Sequence, residues 1–358
     1  MSASPGPTRS GDHPEPGQAA GPLDAPRAEP LVDRLAVVGL GLIGSSIARA
    51  ARARGVARTI ACIDRDSEVI ERVRELGLGD EVTADLGAGV ADADLVILCI
   101  PVGSFASVAE IVGPRLKPGA ILSDTGSVKG SVIAQVQPHL PAGVHLVPAH
   151  PVAGTEYSGP DAGFATLFER RWCILTPPEG ADPAAIALVE AFWAAMGAAV
   201  EVMSAEHHDL VLAITSHVPH LIAYNIVGTA ADLETVTQSE VIKFSAGGFR
   251  DFTRIAASDP TMWRDVFLHN KGAVLEMLGR LNEDIAILSR AIRWGDGDAL
   301  FDLFTRTRDI RRGIISEGQE TAEPDFGRRR ESGHAPASLA QTVIPGLAEG
   351  ENPEPTTG

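Results

Sequence analysis

Three cysteines in 358 residues leave no basis for a disulfide framework. None forms a CxxC metal pair, and Cys62, Cys99 and Cys173 fall in apolar stretches, where they read as small buried hydrophobes. Basic residues are also scarce. The chain has 30 Lys and Arg against 47 Asp and Glu, a formal net charge of -17. A nucleic-acid partner would want a basic face, so none is expected. Part of the acidity sits in the C-terminal tail and says nothing about an active site. No apolar run approaches a membrane-spanning length, so no membrane partner is expected either. The N-terminus lacks the charged-then-apolar layout of a secretory signal, and its acids count against a transit peptide. A cytoplasmic location is expected.

What is present suggests two domains between two tails. Residues 1–30 and 317–358 are polar and rich in Pro and Gly, without a periodic apolar face, and read as disordered. Residues 31–203 alternate apolar strands with helical stretches. The strands are placed at Leu35–Val38, Thr59–Ile63, Leu95–Ile100, Ala120–Ser123, His145–Pro148 and Trp172–Thr176. Continuous apolar runs suit parallel strands buried on both faces, so an α/β, doubly wound parallel sheet is expected, with its ligand at the strands' carboxyl ends. Over residues 204–316 strands give way to helical periodicity. Leu210, Ile214, Val218 and Leu221/Ile222 form one face, and Leu281, Ile285, Leu288 and Ile292 another. So many apolar faces on an all-helical domain predict burial against a second copy, a homodimer.

The most informative stretch runs from Leu35 to Ala50. An apolar strand enters Gly39-Leu-Gly41-Leu42-Ile43-Gly44, and a helix with small residues follows at once. Such a turn lets backbone N–H groups and a helix N-terminus approach a pyrophosphate. A second strand ends on Asp64, about twenty residues past Gly44, as the dinucleotide fingerprint requires. This is a Rossmann-type cofactor site, completed by Pro101 just past the third strand. A carboxylate at Asp64 accepts from both ribose hydroxyls and repels a 2′-phosphate, which favours NAD over NADP. Arg65 beside it is the one residue that could grip that phosphate instead.

Four further segments carry candidate chemistry. His150, placed on the loop leaving the strand His145–Pro148, is positioned to accept a hydroxyl proton as hydride departs; its plain alternative is a turn cap. Ser216-His217-Val-Pro219-His220 puts two histidines three apart on a helix face. A metal there would need a third ligand beyond His207 or His208, and hydride transfer needs none, so no metal is expected. Pro219 should disturb the helix. Gly247-Gly-Phe-Arg250-Asp251-Phe-Thr-Arg254 carries an arginine flanked by apolar residues, whose partly buried stem would leave a guanidinium seeking a carboxylate. Ser123-Asp-Thr-Gly-Ser127-Val-Lys129 ends another strand and offers small hydroxyls to substrate or cofactor, or a helix N-cap.

Together these segments resemble the prephenate/arogenate dehydrogenase family of tyrosine biosynthesis, over about Leu35 to Ile315. The resemblance implies NAD-dependent oxidative decarboxylation of a cyclohexadienyl acid, prephenate or arogenate. His150 matches the family's catalytic histidine, Ser127 a serine that orients it, and Arg254 the arginine that grips a substrate carboxylate. Thr155, Glu156, Ser216 and His220 match pocket positions, with His217 between two of them. Gly247, Arg250 and Asp251 match a segment that in relatives can reach in from the second subunit. The motifs leave prephenate and arogenate both open. Two other readings compete: a β-hydroxyacid dehydrogenase with Lys243 or Lys271 as base, and a non-catalytic NAD sensor.

Overall fold

A computed structural model describes residues 29–155, 157–237 and 246–316. The expected tails therefore lie outside the described residues, apart from Glu29 and Pro30, as does Glu156. Strands β1 (Val32–Val38), β2 (Ala57–Ile63), β3 (Glu81–Thr83), β4 (Leu95–Leu98), β5 (Ile121–Asp124) and β6 (His145–Leu146) form a parallel sheet of order β3-β2-β1-β4-β5-β6. Helices α1 (Leu42–Arg54), α2 (Ser67–Glu75), α3 (Leu86–Val90), α4 (Phe105–Val112) and α5 (Lys129–Val136) make the crossovers. The order reverses between β1 and β4, which opens a crevice at their carboxyl ends.

Both faces of the sheet are buried, and the period of two divides each strand between them. Leu35, Val37, Leu95 and Ile97 pack on one side with Ile47, Phe168, Phe192 and Trp193. Ala36, Val38, Val96 and Leu98 face the other, against Phe105, Val112 and Trp263. The three cysteines are free thiols, Cys62 and Cys173 buried.

The six strands read from the sequence do not all join one sheet. β7 (Ala149–Pro151), β8 (Trp172–Leu175) and β9 (Ala199–Val202) form a second, mixed sheet, with β8 antiparallel to β7 and parallel to β9. The expected strand His145–Pro148 is cut short at Pro148, which has no N–H to donate to a ladder. Val147 N still bonds Leu122 O in the first sheet, while Pro148 O accepts Thr176 N in the second. His150 therefore lies within a strand, paired with Ile174, and not on a loop. A strand fixes a side chain more firmly than a loop does.

The remainder is helical: α6 (Pro183–Ala195), then α7 (Ala205–Leu212), a π-turn (Ala213–His217), α8 (Val218–Thr237), α9 (Gly247–Thr253), α10 (Pro260–His269), α11 (Lys271–Trp294) and α12 (Gly297–Ser316). Ser204 caps α7 by accepting from His207 N. The π-turn answers Pro219, which gives Thr215 O no i+4 donor, so the ladder widens there. It also rotates the buried face. Of the expected apolar face, Leu210 and Ile214 are exposed in the single chain and Val218 is buried, together with His208, Leu212, Ala213 and His217. The continuous helical stretch Ala205–Leu233 contains an 18-residue window apolar enough, and is itself long enough, to cross a membrane by length and composition. This corrects the expectation that nothing here approaches that length; His208, Asp209, His217 and His220 interrupt the run in sequence.

Candidate active site

The glycine turn joins β1 to α1, and its three glycines do different work. Gly39 has φ +90°, and a Cβ there would collide with the Cys99 carbonyl oxygen. A Cβ on Gly44 would collide with the Gly39 carbonyl, so α1 packs directly on the turn. Gly41 precedes the first helical residues, Leu42 and Ile43, and a Cβ there would meet nothing within 4 Å. Two glycines thus serve the protein's own packing, and the middle one keeps the helix N-terminus open to a phosphate. Asp64 Oδ2 accepts Leu40 N at 2.8 Å and Oδ1 accepts Asp66 N at 3.0 Å, which turns the carboxylate toward that turn. Pro101 is exposed and opens the 3-10 turn that follows β4. These features fit a dinucleotide.

His150, next to the Ala149 that Asp124 holds at the carboxyl end of β5, is 8% exposed. Its backbone is clamped. Lys129 and Asp124 form a fully enclosed pair, Nζ to Oδ2 2.5 Å, and between them hold both polar groups of the neighbouring Ala149. Lys129 Nζ donates to Ala149 O at 2.7 Å, and Asp124 Oδ1 accepts Ala149 N at 3.3 Å. The His150 ring then meets α7. Nδ1 lies 2.8 Å from His208 Nε2, and His208 Nδ1 lies 2.8 Å from Asp209 Oδ1. Asp209 also accepts Lys129 N and Gly130 N, at the start of α5. Asn270 Nδ2 bridges Asp209 O at 2.8 Å and His217 Nδ1 at 3.1 Å.

A second group faces the same helices. His220 stacks on Trp263 with centroids 3.7 Å apart, and its Nδ1 donates to Ser216 O at 2.8 Å. His217 meets Trp263 edge-on, and its Nε2 is buried with no hydrogen-bond partner among the described residues. Ser216 and His217 both lie in the π-turn, a common device at functional sites. Arg254 follows α9, near enough for its charge to disfavour protonation of His220. Arg254 and its neighbour Phe252 are exposed, while Ile255 and Ala256 beside it are half-buried. Arg250 and Asp251 are exposed as well, and Gly247 is half-buried. Ser127 is half-buried in the β5–α5 turn, beside Gly126, whose N is held by Asp124. Thr155 is half-buried past β7 and accepts Tyr157 N at 3.3 Å. The structure thus gathers His150, His217 and His220 around α7 and α8, but leaves the 247–254 segment at the rim. Lys271 is exposed at the start of α11, and Lys243 lies outside the described residues.

Burial holds these imidazoles neutral. The His150 pKa is pushed well below 6.5 by desolvation, helped by His208, Lys129 and His217. His208 is lowered by burial against the opposing pull of Asp209, and His217 falls to about 4, again chiefly by burial. Bases with depressed folded pKa values are protonated first in the unfolded chain. Stability is therefore complete above 6.5 and is lost as pH falls below it, for His217 by about 1.4 kcal/mol per pH unit down to about 4, with His150 and His208 acting in the same direction. Urea titrations at pH 7.5 and 5.0 should show the midpoint falling; an unchanged midpoint would refute buried neutral histidines.

A switch-point crevice with this glycine turn, an oriented carboxylate after β2 and a buried neutral imidazole by the carboxyl end of β5 defines a dinucleotide-dependent dehydrogenase. Comparison with known proteins narrows the class. The prephenate dehydrogenase nucleotide-binding domain matches residues 47–202, and the prephenate dehydrogenase dimerization domain matches residues 204–306. The chain belongs to the prephenate dehydrogenase family. It is 46% identical over 277 residues to the cyclohexadienyl dehydrogenase of Zymomonas mobilis, covering 77% of this chain and 94% of that one. It is 34% identical to the prephenate dehydrogenase of Bacillus subtilis, over 82% and 79% of the two chains. Among solved structures, the prephenate dehydrogenase of Aquifex aeolicus with hydroxyphenyl propionate and NAD+ superposes with a TM-score of 0.74 at 34% identity, over 79% of this chain and 98% of that one.

Sequence inspection missed Asp209, Asn270 and Trp263, and took His208 only as a spare metal ligand. A His-Asp pair in the first turns of a serine-capped helix was the available signal.

Proposed function

We propose that the chain catalyses NAD-dependent oxidative decarboxylation of prephenate to 4-hydroxyphenylpyruvate, a step of tyrosine biosynthesis in the cytoplasm. The observation that carries this is His150, buried, neutral and rigidly held at the carboxyl end of the sheet. The turn at Gly39, Gly41 and Gly44, the helix start at Leu42 and Ile43, Asp64 and Pro101 would hold NAD, which when bound supplies the hydride acceptor. His150 takes the proton of the ring hydroxyl, which Ser127 orients, as the carbinol carbon would give up its hydride to that acceptor. The ring carbon–carboxylate bond then breaks, CO2 leaves, the electron pair passes through the ring to the former hydroxyl oxygen, and His150 returns the proton there to give the phenol. Aromatisation supplies the driving force, so the protein has only to orient, accept one proton and hold one acid.

Arg254 holds the side-chain carboxylate and leaves the departing one poorly paired, since firm pairing would oppose loss of CO2. Thr155, Ser216, His217 and His220 line the pocket around it; Glu156, a pocket position by the resemblance, lies outside the described residues. A charge-assisted hydrogen bond of this kind is worth about 1.5–3 kcal/mol, so Arg254→Gln should raise KM for prephenate by roughly 10–100-fold. A fall in kcat with KM unchanged would end the anchor role. The Zymomonas relative's broader name, cyclohexadienyl dehydrogenase, keeps arogenate as the second substrate to test. NADH formation at 340 nm with prephenate, arogenate and a 3-hydroxy acid decides the matter. Turnover of prephenate supports the reading; turnover of the 3-hydroxy acid alone, or of none, overturns it.

The active unit is a homodimer built from residues 204–316, with residues 31–203 as the cofactor domain. The dimerization-domain match supports this. So do Ile285, Ile287, Ile292, Trp294, Phe301 and Phe304, large apolar side chains left open on α11 and α12. A second copy would also bring Gly247, Arg250 and Asp251 from the rim toward the partner's site. Light scattering should give twice the chain mass of 37.5 kDa; a monomer at working concentration would refute it.

A further inference from the structure

We propose that His208 and Asp209 are positioning residues that fix the tautomer of His150, leaving its Nε2 as the lone-pair nitrogen. The inference rests on the reading of His150 as the base and goes beyond it. It follows from the order of donors and acceptors along one chain of contacts. A carboxylate only accepts, so the 2.8 Å contact to Asp209 Oδ1 requires the hydrogen of His208 on Nδ1. In the neutral ring His208 Nε2 is then an acceptor. The 2.8 Å contact to His150 Nδ1 must be donated by His150, so its remaining nitrogen carries the lone pair.

The opposite tautomer would set two N–H groups against each other inside the protein. Each link is itself held. His208 is fully buried, and Asp209 is fixed by Lys129 N, Gly130 N and, through its backbone carbonyl, Asn270. When Nε2 of His150 takes the hydroxyl proton, no other bond on the ring changes. The Nδ1–H stays on His208, and the new positive charge lies two links from the Asp209 carboxylate. Lys129 faces both rings and His217 that of His150, each opposing that charge, while Asp124 faces only the His208 ring and is itself paired with Lys129. Asp209 is thus the anion placed to share it.

Three variants test the assignment, measured beside His150→Asn with prephenate and NAD. His208→Leu removes the acceptor and should lower kcat by about 10²-fold or more, with KM little changed. His208→Gln restores the polarity, a carbonyl toward His150 and an amide N–H toward Asp209, and should recover at least tenfold of that loss. Asp209→Asn offers an N–H where the chain needs an acceptor; it should lower kcat and move the acid limb of kcat/KM to lower pH. A purely structural role would give Gln and Leu equal losses that track the melting temperature, and no shift of the limb. That outcome overturns the proposal. Loss of activity in His150→Asn with full activity in His208→Leu overturns the relay alone. Full activity in His150→Asn overturns the base as well.

Discussion

Replacing His150 by Asn is expected to lower kcat for prephenate by about 10²–10⁴-fold, the usual worth of a positioned general base. The substitution is chosen to leave the fold alone. An asparagine amide can stand near the position of the imidazole Nδ1 and still donate to His208 Nε2, so the buried contact survives while the basic nitrogen is lost. NAD binding and the melting temperature should stay near wild type. The pH profile sharpens the test. Because burial depresses the His150 pKa, the wild-type rate should be flat through neutrality and fall only in acid. In the variant that acid limb should disappear. A variant with wild-type kcat, or with an unaltered limb, would remove His150 from the chemistry.

The cofactor half of this site was legible in sequence because its signals are local. The glycine spacing, the apolar strand before it and Asp64 after β2 lie within about thirty residues, and backbone geometry there leaves few alternatives. The half proposed to accept the proton was less so. His150 was expected on a loop, since nothing in the apolar pattern marks Pro148 as the point where the chain leaves one sheet for another. His208 and His217 stand nine apart, which at about 100° per residue places them on opposite sides of an ideal helix. The π-turn absorbs one residue and brings both inside, so ordinary helical counting does not place them together. Arg254 was harder to place from sequence: its apolar neighbours divide between exposed Phe252 and half-buried Ile255 and Ala256, a mixture that sequence pattern does not resolve.

Lys129→Met should give the largest loss of stability, about 3–5 kcal/mol in urea unfolding, because it leaves Asp124 enclosed with no cation. Both side chains of the pair are almost completely buried, at 0% and 2% exposure. Burial already pushes the Asp124 carboxyl above 3.8, and Lys129 is the largest influence opposing it. Without the amine that carboxyl rises further and keeps its proton in the folded state. An acid with a raised folded pKa costs stability as pH climbs above its unfolded value, so the deficit against wild type should widen from about pH 4 upward and narrow in acid. The double variant Asp124→Asn/Lys129→Met retains an acceptor for Gly126 N without burying a charge, and should recover part of the loss. Activity should not recover with it. Lys129 Nζ also holds Ala149 O, one residue from His150, and methionine cannot replace that bond. A shift of β7 by even about 1 Å can cost 10²-fold in rate. A double variant that is stable and fully active would show that the clamp serves folding alone; one that is stable and slow ties the buried ion pair to the placement of the base.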